Sequence, residues 1–204
     1  NVVQIKQFRD DLFVFGSNSI KKITNPQPGS FPIEAVTSNV GCIARDSVTE
    51  LAGDLIFLAP DGLRPISSTS KIGDVQLETV SKAIQVTLVN LIKNNNAATI
   101  NSVVIRSKSQ VRFFVGDDTT EQIDSYGIVG GLYDSGGSIE WSFGEMVGIR
   151  ASCCESGYIG TEELVLHGDF DGKVYRQEQG ISFAGNDIVA VYATPYLDFG
   201  DTEV

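Results

Sequence analysis

Acidic side chains supply most of the residues that could do chemistry. Gly116-Asp117-Asp118-Thr119-Thr120-Glu121 with Asp124 gathers carboxylates of the kind hard cations take. The run lacks the central glycine and the spacing of an EF-hand loop, so it reads as a solvated connection between strands. Asp169-Phe170-Asp171-Gly172 has half the character of a calcium loop, but Asp-Gly is also what a hairpin turn uses. Asp134, Glu140, Glu145 and Glu155 surround Trp141, the only tryptophan. Glycoside hydrolysis needs two carboxyls facing each other across a sugar, and nothing in this spacing forces that. His167 beside Asp169 has the form of a base with an orienting acid. The chain has no G-x-S-x-G elbow to supply a nucleophile, and Cys153 and Cys154 have no base placed for them by sequence. A single histidine also excludes zinc sites built on several imidazoles. Gly127-Ile128-Val129-Gly130-Gly131 is not followed by a helical pattern, and there is no P-loop. The sequence therefore assigns no catalytic, cofactor-binding or metal-ligating residues.

The elements that would position such residues are mainly strands. Asp11–Phe15 runs through Gly16-Ser17-Asn18-Ser19 into Ile20–Ile23, and Leu55–Ala59 runs through Pro60-Asp61-Gly62 into Leu63–Ile66. Ser102–Arg106 leads through Ser107–Gln110 into Val111–Val115, and Leu164–Gly168 through Asp169–Gly172 into Lys173–Arg176. Asp61-Gly62 and Asp171-Gly172 are expected to be tight turns. With Ile20, Leu63, Val111 and Val174 as markers, the first two intervals come near the roughly 40–45-residue period of a propeller blade and the third requires an insertion. The alternative is an antiparallel sandwich. Asn25–Pro32 is a Pro/Gly loop that breaks any central strand. The glycines from Gly127 to Gly137 suggest loop with short strands at most, before alternation returns at Ile139–Phe143, where Trp141 reads as a structural anchor.

One stretch has helical period. Val80, Ile84, Leu88 and Leu91 fall on one face over 77–93, broadened by Val86 and Val89, and the Asn94-Asn95-Asn96 run closes it. The expected fold is all-β, with propeller-like antiparallel hairpin units forming a partial propeller and one inserted amphipathic helix. Residues 1–185 form the β domain, and 186–204 a strand segment continuing into an adjacent unit.

Twenty-six acidic against fifteen basic residues give a formal charge of -11. That is the opposite of the footprint needed to grip nucleic-acid phosphates or an anionic membrane. The densest basic stretch, Arg106 to Arg112, reads as strands with solvent-facing charges. Cys42, Cys153 and Cys154 do not make a disulfide framework. Adjacent strand residues point to opposite faces, so all three are expected as free thiols.

Two longer stretches carry a resemblance. Thr37-Ser38-Asn39-Val40-Gly41-Cys42, Gly53–Arg64, Ile66–Thr69, Ile72-Gly73-Asp74 and Ser81–Ile84 form the first. His167-Gly168-Asp169-Phe170-Asp171-Gly172-Lys173-Val174-Tyr175-Arg176, with Gly180, Gly185 and Thr194-Pro195-Tyr196-Leu197-Asp198-Phe199-Gly200-Asp201, forms the second. Together they resemble the tail tube, nozzle or tail stabilisation proteins of short-tailed bacteriophages. The resemblance implies a β-propeller-like core in a non-enzymatic virion protein assembled in the host cytoplasm. It also implies self-association into a homohexameric ring, contact with portal or adaptor proteins, and a channel that double-stranded DNA crosses without specific binding. No cofactor and no membrane is implied. Fewer hairpins than such a family carries, and a chain opening on Asn1, make this sequence read as a segment of a longer protein. Two other readings stand beside it. One is a carbohydrate- or receptor-binding β module using Tyr126, Tyr133, Trp141 and Tyr158; the other is a propeller-type glycan hydrolase or lyase.

Overall fold

The computed structural model describes residues 1–25, 27–67, 80–94, 97–116, 119, 125–183 and 185–188. Strands follow each other in up-and-down order and form four antiparallel sheets of three or four strands. Sheet I holds β1 (Val2–Phe8), β2 (Asp11–Gly16), β3 (Ile20–Thr24) and β4 (Ile33–Thr37). Sheet II holds β5 (Thr49–Leu51), β6 (Asp54–Ala59) and β7 (Gly62–Pro65). Sheet III holds β8 (Asn101–Ile105), β9 (Gln110–Val115), β10 (Tyr126–Ser135) and β11 (Ser138–Val147). Sheet IV holds β12 (Cys153–Ile159), β13 (Glu162–Gly168) and β14 (Val174–Arg176). A small hairpin, β15 (Ser182–Phe183) with β16 (Asn186–Asp187), follows. The fold is all-β with one helical insertion, α1 (Gln85–Asn94), preceded by a 3-10 turn at Lys82–Ile84.

The sheets stack face to face in chain order, and side-chain alternation shows how. On β6, Leu55, Phe57 and Ala59 point to sheet I and join Phe8, Phe13, Phe15 and Ile20. Ile56 and Leu58 on the other face, with Leu63 of β7, meet Val104, Val111, Phe113 and Ile128 of sheet III. Sheet III is two-sided as well, its Val103, Ile105 and Phe114 packing on Val165 of sheet IV. The unbroken apolar run Leu55–Ala59 is thus the mark of a strand covered on both faces. The first strands of sheets II, III and IV lie together, β8 packing against both β5 and β12. Asp46 and Asn101 form a parallel bridge. Ser102 Oγ donates to the Asp46 carbonyl (2.6 Å), and Asn101 Nδ2 to the Ala151 carbonyl (3.3 Å). No barrel closes.

Helix α1 belongs to the core of this same chain. Leu88 and Leu91 are buried with Leu58, Leu63 and Ile100, and Val80 and Ile84 pack against them. Val86, expected to broaden that face, is 76% exposed, because two residues from Leu88 is about 200° round the helix. Residues 77–79 of the expected helix lie outside the described residues.

Four other expectations are revised. The glycine-rich stretch is not loop: it is β10, ten residues paired throughout with β11. Its glycines make room. A Cβ on Gly130 would come within 2.8 Å of the Phe143 ring, and one on Gly127 within 2.6 Å of the Phe113 carbonyl oxygen. Only Gly136 and Gly137, with φ of 66° and 97°, form the turn. At the second hairpin the two-residue connection is Pro60-Asp61, and Gly62 opens β7 opposite Ala59 with φ 137°. The Asp171-Gly172 pair sits in a five-residue loop (169–173), closed by Asp169 N–H donating to the Lys173 carbonyl (2.9 Å). Finally, Val111 was the wrong marker. The other three turns join the second and third strands of their sheets, whereas Ser107–Ser109 joins the first and second strands of sheet III. The long connection falls between sheets II and III, where α1 sits.

Candidate functional site

The densest polar arrangement lies along the seam between sheets III and IV. Asp169, at the end of β13, is nearly sequestered and receives Arg150 Nε at 2.7 Å and the Phe170 N–H at 2.6 Å. The same guanidinium reaches Asp171 at 2.8 Å and lies over the Phe170 ring. Burial works against the Asp169 carboxylate, but Arg150 and the backbone donors outweigh it and hold its pKa below the ordinary value. The "DFDG" motif is therefore a loop held by an arginine, with its acids committed to that arginine rather than to a cation. Among the described residues, no group of three metal-ligating side chains comes together.

A second cluster ties the other end of the seam. Arg112, expected to face solvent, turns inward and donates to Gln177 Oε1 at 2.9 Å. It shares Glu178 with Lys108. Donation from Lys108, opposed by partial burial and aided by Arg112, lowers the Glu178 pKa. Gln177 also reaches His167 Nδ1 (3.3 Å), and its N–H donates to the Val165 carbonyl (2.8 Å), extending sheet IV beyond β14. His167 is 2% exposed and lies between the rings of Phe114 and Tyr175, at centroid distances of 6.4 and 5.1 Å. Burial lowers its pKa, with Asp169 working against the shift. A neutral imidazole walled by two aromatic rings is a packing group here, not an accessible base. Glu163 completes the seam by accepting the N–H groups of Arg106 and Ser107, each at 2.8 Å.

The remaining candidates are scattered. Asp134 accepts the Gly137 N–H (2.7 Å) in the β10–β11 turn. Glu140 accepts the Tyr133 hydroxyl (3.0 Å) on one face of the hairpin, while Glu145, an odd number of residues away, faces the other side near Tyr126. Burial, with Glu145 adding to it, pushes the Tyr126 hydroxyl up to about 12. Glu155 stands in sheet IV. The four aromatic residues of the carbohydrate reading are not brought together either. Tyr126 and Tyr133 lie on opposite faces of β10, Trp141 stacks on Phe143 (5.6 Å) over Gly130, and Tyr158 is in sheet IV. Of the acidic 116–124 loop, only Gly116 and Thr119 are among the described residues.

The three cysteines are free thiols. On β12, Cys153 points outward and Cys154 inward beside Ala151 and Val165, as alternation requires. Burial first, then Cys153, Glu155 and Asp46, push the Cys154 thiol up to about 12. Burial likewise raises the Cys42 thiol, whose Sγ donates to the Ala44 carbonyl. Thiols held protonated in this way are poor nucleophiles. A cleft of about 450 Å³ opens between sheets I and II among Phe8, Arg9, Asp11, Phe13 and Asp54. Its polar groups already serve the fold. Arg9 donates to the Gly53 carbonyl (2.8 Å), Asp54 accepts from Leu55 and Ser67, and Asp11 meets Lys22.

The site geometry thus defines an architectural class: stacked sheets locked by an internal polar seam. Comparison with protein-family models and with curated proteins finds no match for this chain.

Proposed function

We propose that this chain is a non-enzymatic structural subunit of a short-tailed bacteriophage tail tube or nozzle. Its four up-and-down sheets act as consecutive units of a propeller-like array. The observation that carries the reading is the stacking of those sheets in chain order, with the first strands of sheets II, III and IV gathered together. Polar contacts between sheets support it: Arg112 and Lys108 meet Glu178, Glu163 accepts from Arg106 and Ser107, and Arg9 donates to the Gly53 carbonyl. The charge of -11 fits a wall that genomic DNA must pass without adhering, since like charge opposes phosphate contacts. The subunit self-associates and joins portal or adaptor proteins in the virion tail.

Purified virions test this reading. Immunogold labelling and mass spectrometry should find the chain in tails, and electron microscopy of tails should show it in rings. Its absence from tails at every assembly stage would overturn the assignment.

A further inference from the structure

We propose that the outer faces of the two end sheets are halves of one interface, with sheet IV of one copy of this chain docking on sheet I of a second copy. Among the described residues, sheets II and III are covered on both faces, whereas I and IV are covered on only one. On the uncovered side of sheet I, two cross-strand rows stand together: Ile5–Val14–Lys21–Ala35 and Gln7–Leu12–Ile23–Ile33. Six of these eight are apolar, and Ile5 and Ile33 are 51% and 61% exposed. The uncovered side of sheet IV carries Ile159, Leu164, Leu166 and Val174, with Val174 73% exposed. Contiguous apolar patches of this kind on a sheet face mark contact surfaces.

A second copy is the occupant that both faces fit. The only charge in the sheet I rows is Lys21, while sheet IV offers Glu155 and Glu162 against Arg176, and Arg176 is already paired with Glu162. One face is thus positive by one charge and the other negative by one, so I-on-I or IV-on-IV contacts would set like charges together. The shapes also differ in a useful sense. Gly157, with nothing within 4 Å of where a Cβ would stand, leaves a hollow in the sheet IV face where a branched side chain of sheet I can seat. The contact would repeat the face-to-face packing already made three times within the chain. It is heterologous, so each copy keeps one face of each kind to offer. Two copies joined through both contacts bring eight sheets together, within the range of four to eight that propellers use.

This inference takes from the proposed function only that the chain self-associates, and it is tested away from virions. Sedimentation of the 204-residue chain at tens of micromolar should give at least twice its 22.0 kDa mass. Ile5→Asp and Val174→Asp, both at exposed positions, should each give a folded monomer by circular dichroism. An equimolar mixture of the two variants should recover a two-chain species, because each supplies the face the other lacks. A monomeric wild-type chain, or a mixture that stays monomeric, would overturn the interface. So would a variant pair of which only one dissociates. A monomer that is nonetheless found in tails would sink this interface and leave the proposed function standing. A dimer absent from tails would do the reverse.

Discussion

The seams on either side of sheet II and the seam between sheets III and IV are built from different chemistry. Around sheet II the contacts are mainly apolar. Phe8, Phe13, Phe15 and Phe57 form a chain of tilted rings with centroids 5.4 to 6.5 Å apart, and Leu88 and Leu91 seal the opposite face. Between III and IV a small apolar cluster is flanked by Arg150–Asp169, by Lys108 and Arg112 on Glu178, and by His167. Apolar burial is indifferent to pH and is strengthened by structure-making salts, whereas ionic contacts weaken as acid titrates the carboxylates and as salt screens them. Sheet IV should therefore be the part of the stack that responds to solution conditions.

The largest effect should come from breaking the apolar side. Leu88→Asp removes buried apolar surface and places an unpaired carboxylate among Leu58, Leu63 and Ile100. A loss of about 5 kcal/mol or more is expected, enough to abolish soluble folded protein. Because the helix packs within its own chain, circular dichroism and expression yield should fall together, rather than the oligomer alone. Wild-type behaviour would show that α1 contributes little to the core. Phe57→Ala should follow at about 3–5 kcal/mol, read from denaturant midpoints at unchanged slope.

A smaller and local effect is expected from Arg150→Ala, which leaves Asp169 near-buried without its guanidinium. Hydrogen exchange should accelerate in β13 and β14 while β6 stays protected, and the loss should shrink in high salt. Uniform acceleration through all four sheets would mean the seams are not separable. Gly62→Val tests the turn that sequence placed one residue off. At φ 137° a β-branched residue is strained, and a cost of about 1–3 kcal/mol is expected in thermal melts. No measurable cost would show that β7 can open in another conformation.

How much of this was legible in the sequence depends on the range of the interaction. Local signals read well. The apolar run Leu55–Ala59, the alternation at Cys153-Cys154 and the helical spacing of Ile84, Leu88 and Leu91 all appear where their own periodicity puts them. The glycines of β10 misled, because their need is set by Phe143 across the hairpin and by Phe113 on the neighbouring strand, and glycine as a letter signals turn. The inward turn of Arg112 was illegible for a similar reason. Its partners Gln177 and Glu178 arrive from the turn after β14, some 65 residues later, and only the stacking of sheet IV brings them within reach. The hairpin period went astray because the strand–turn–strand pattern at Ser107–Ser109 resembles the others in sequence but holds a different place in its sheet.

The mildest prediction concerns pH, and it turns on His167. Its folded pKa lies below the ordinary value near 6.5, mainly because burial disfavours the imidazolium. As pH falls through the unfolded value, the unfolded chain binds a proton that the folded one refuses, so stability declines from about pH 6.5 downward and is unaffected above it. The lowered carboxylates act in the same direction at lower pH. Asp169, Glu163 and Glu178 contribute stability that is present above their unfolded values and is lost as pH falls through their folded ones. Melting temperature should therefore hold steady from pH 8 to 7 and decline in two stages, the first belonging to His167 and the second to the seam carboxylates. His167→Gln keeps a polar partner for Gln177 and removes the titration, so it should flatten the first stage while leaving the second. A first stage that persists in His167→Gln would assign it to some other group and remove the histidine from the account of the seam.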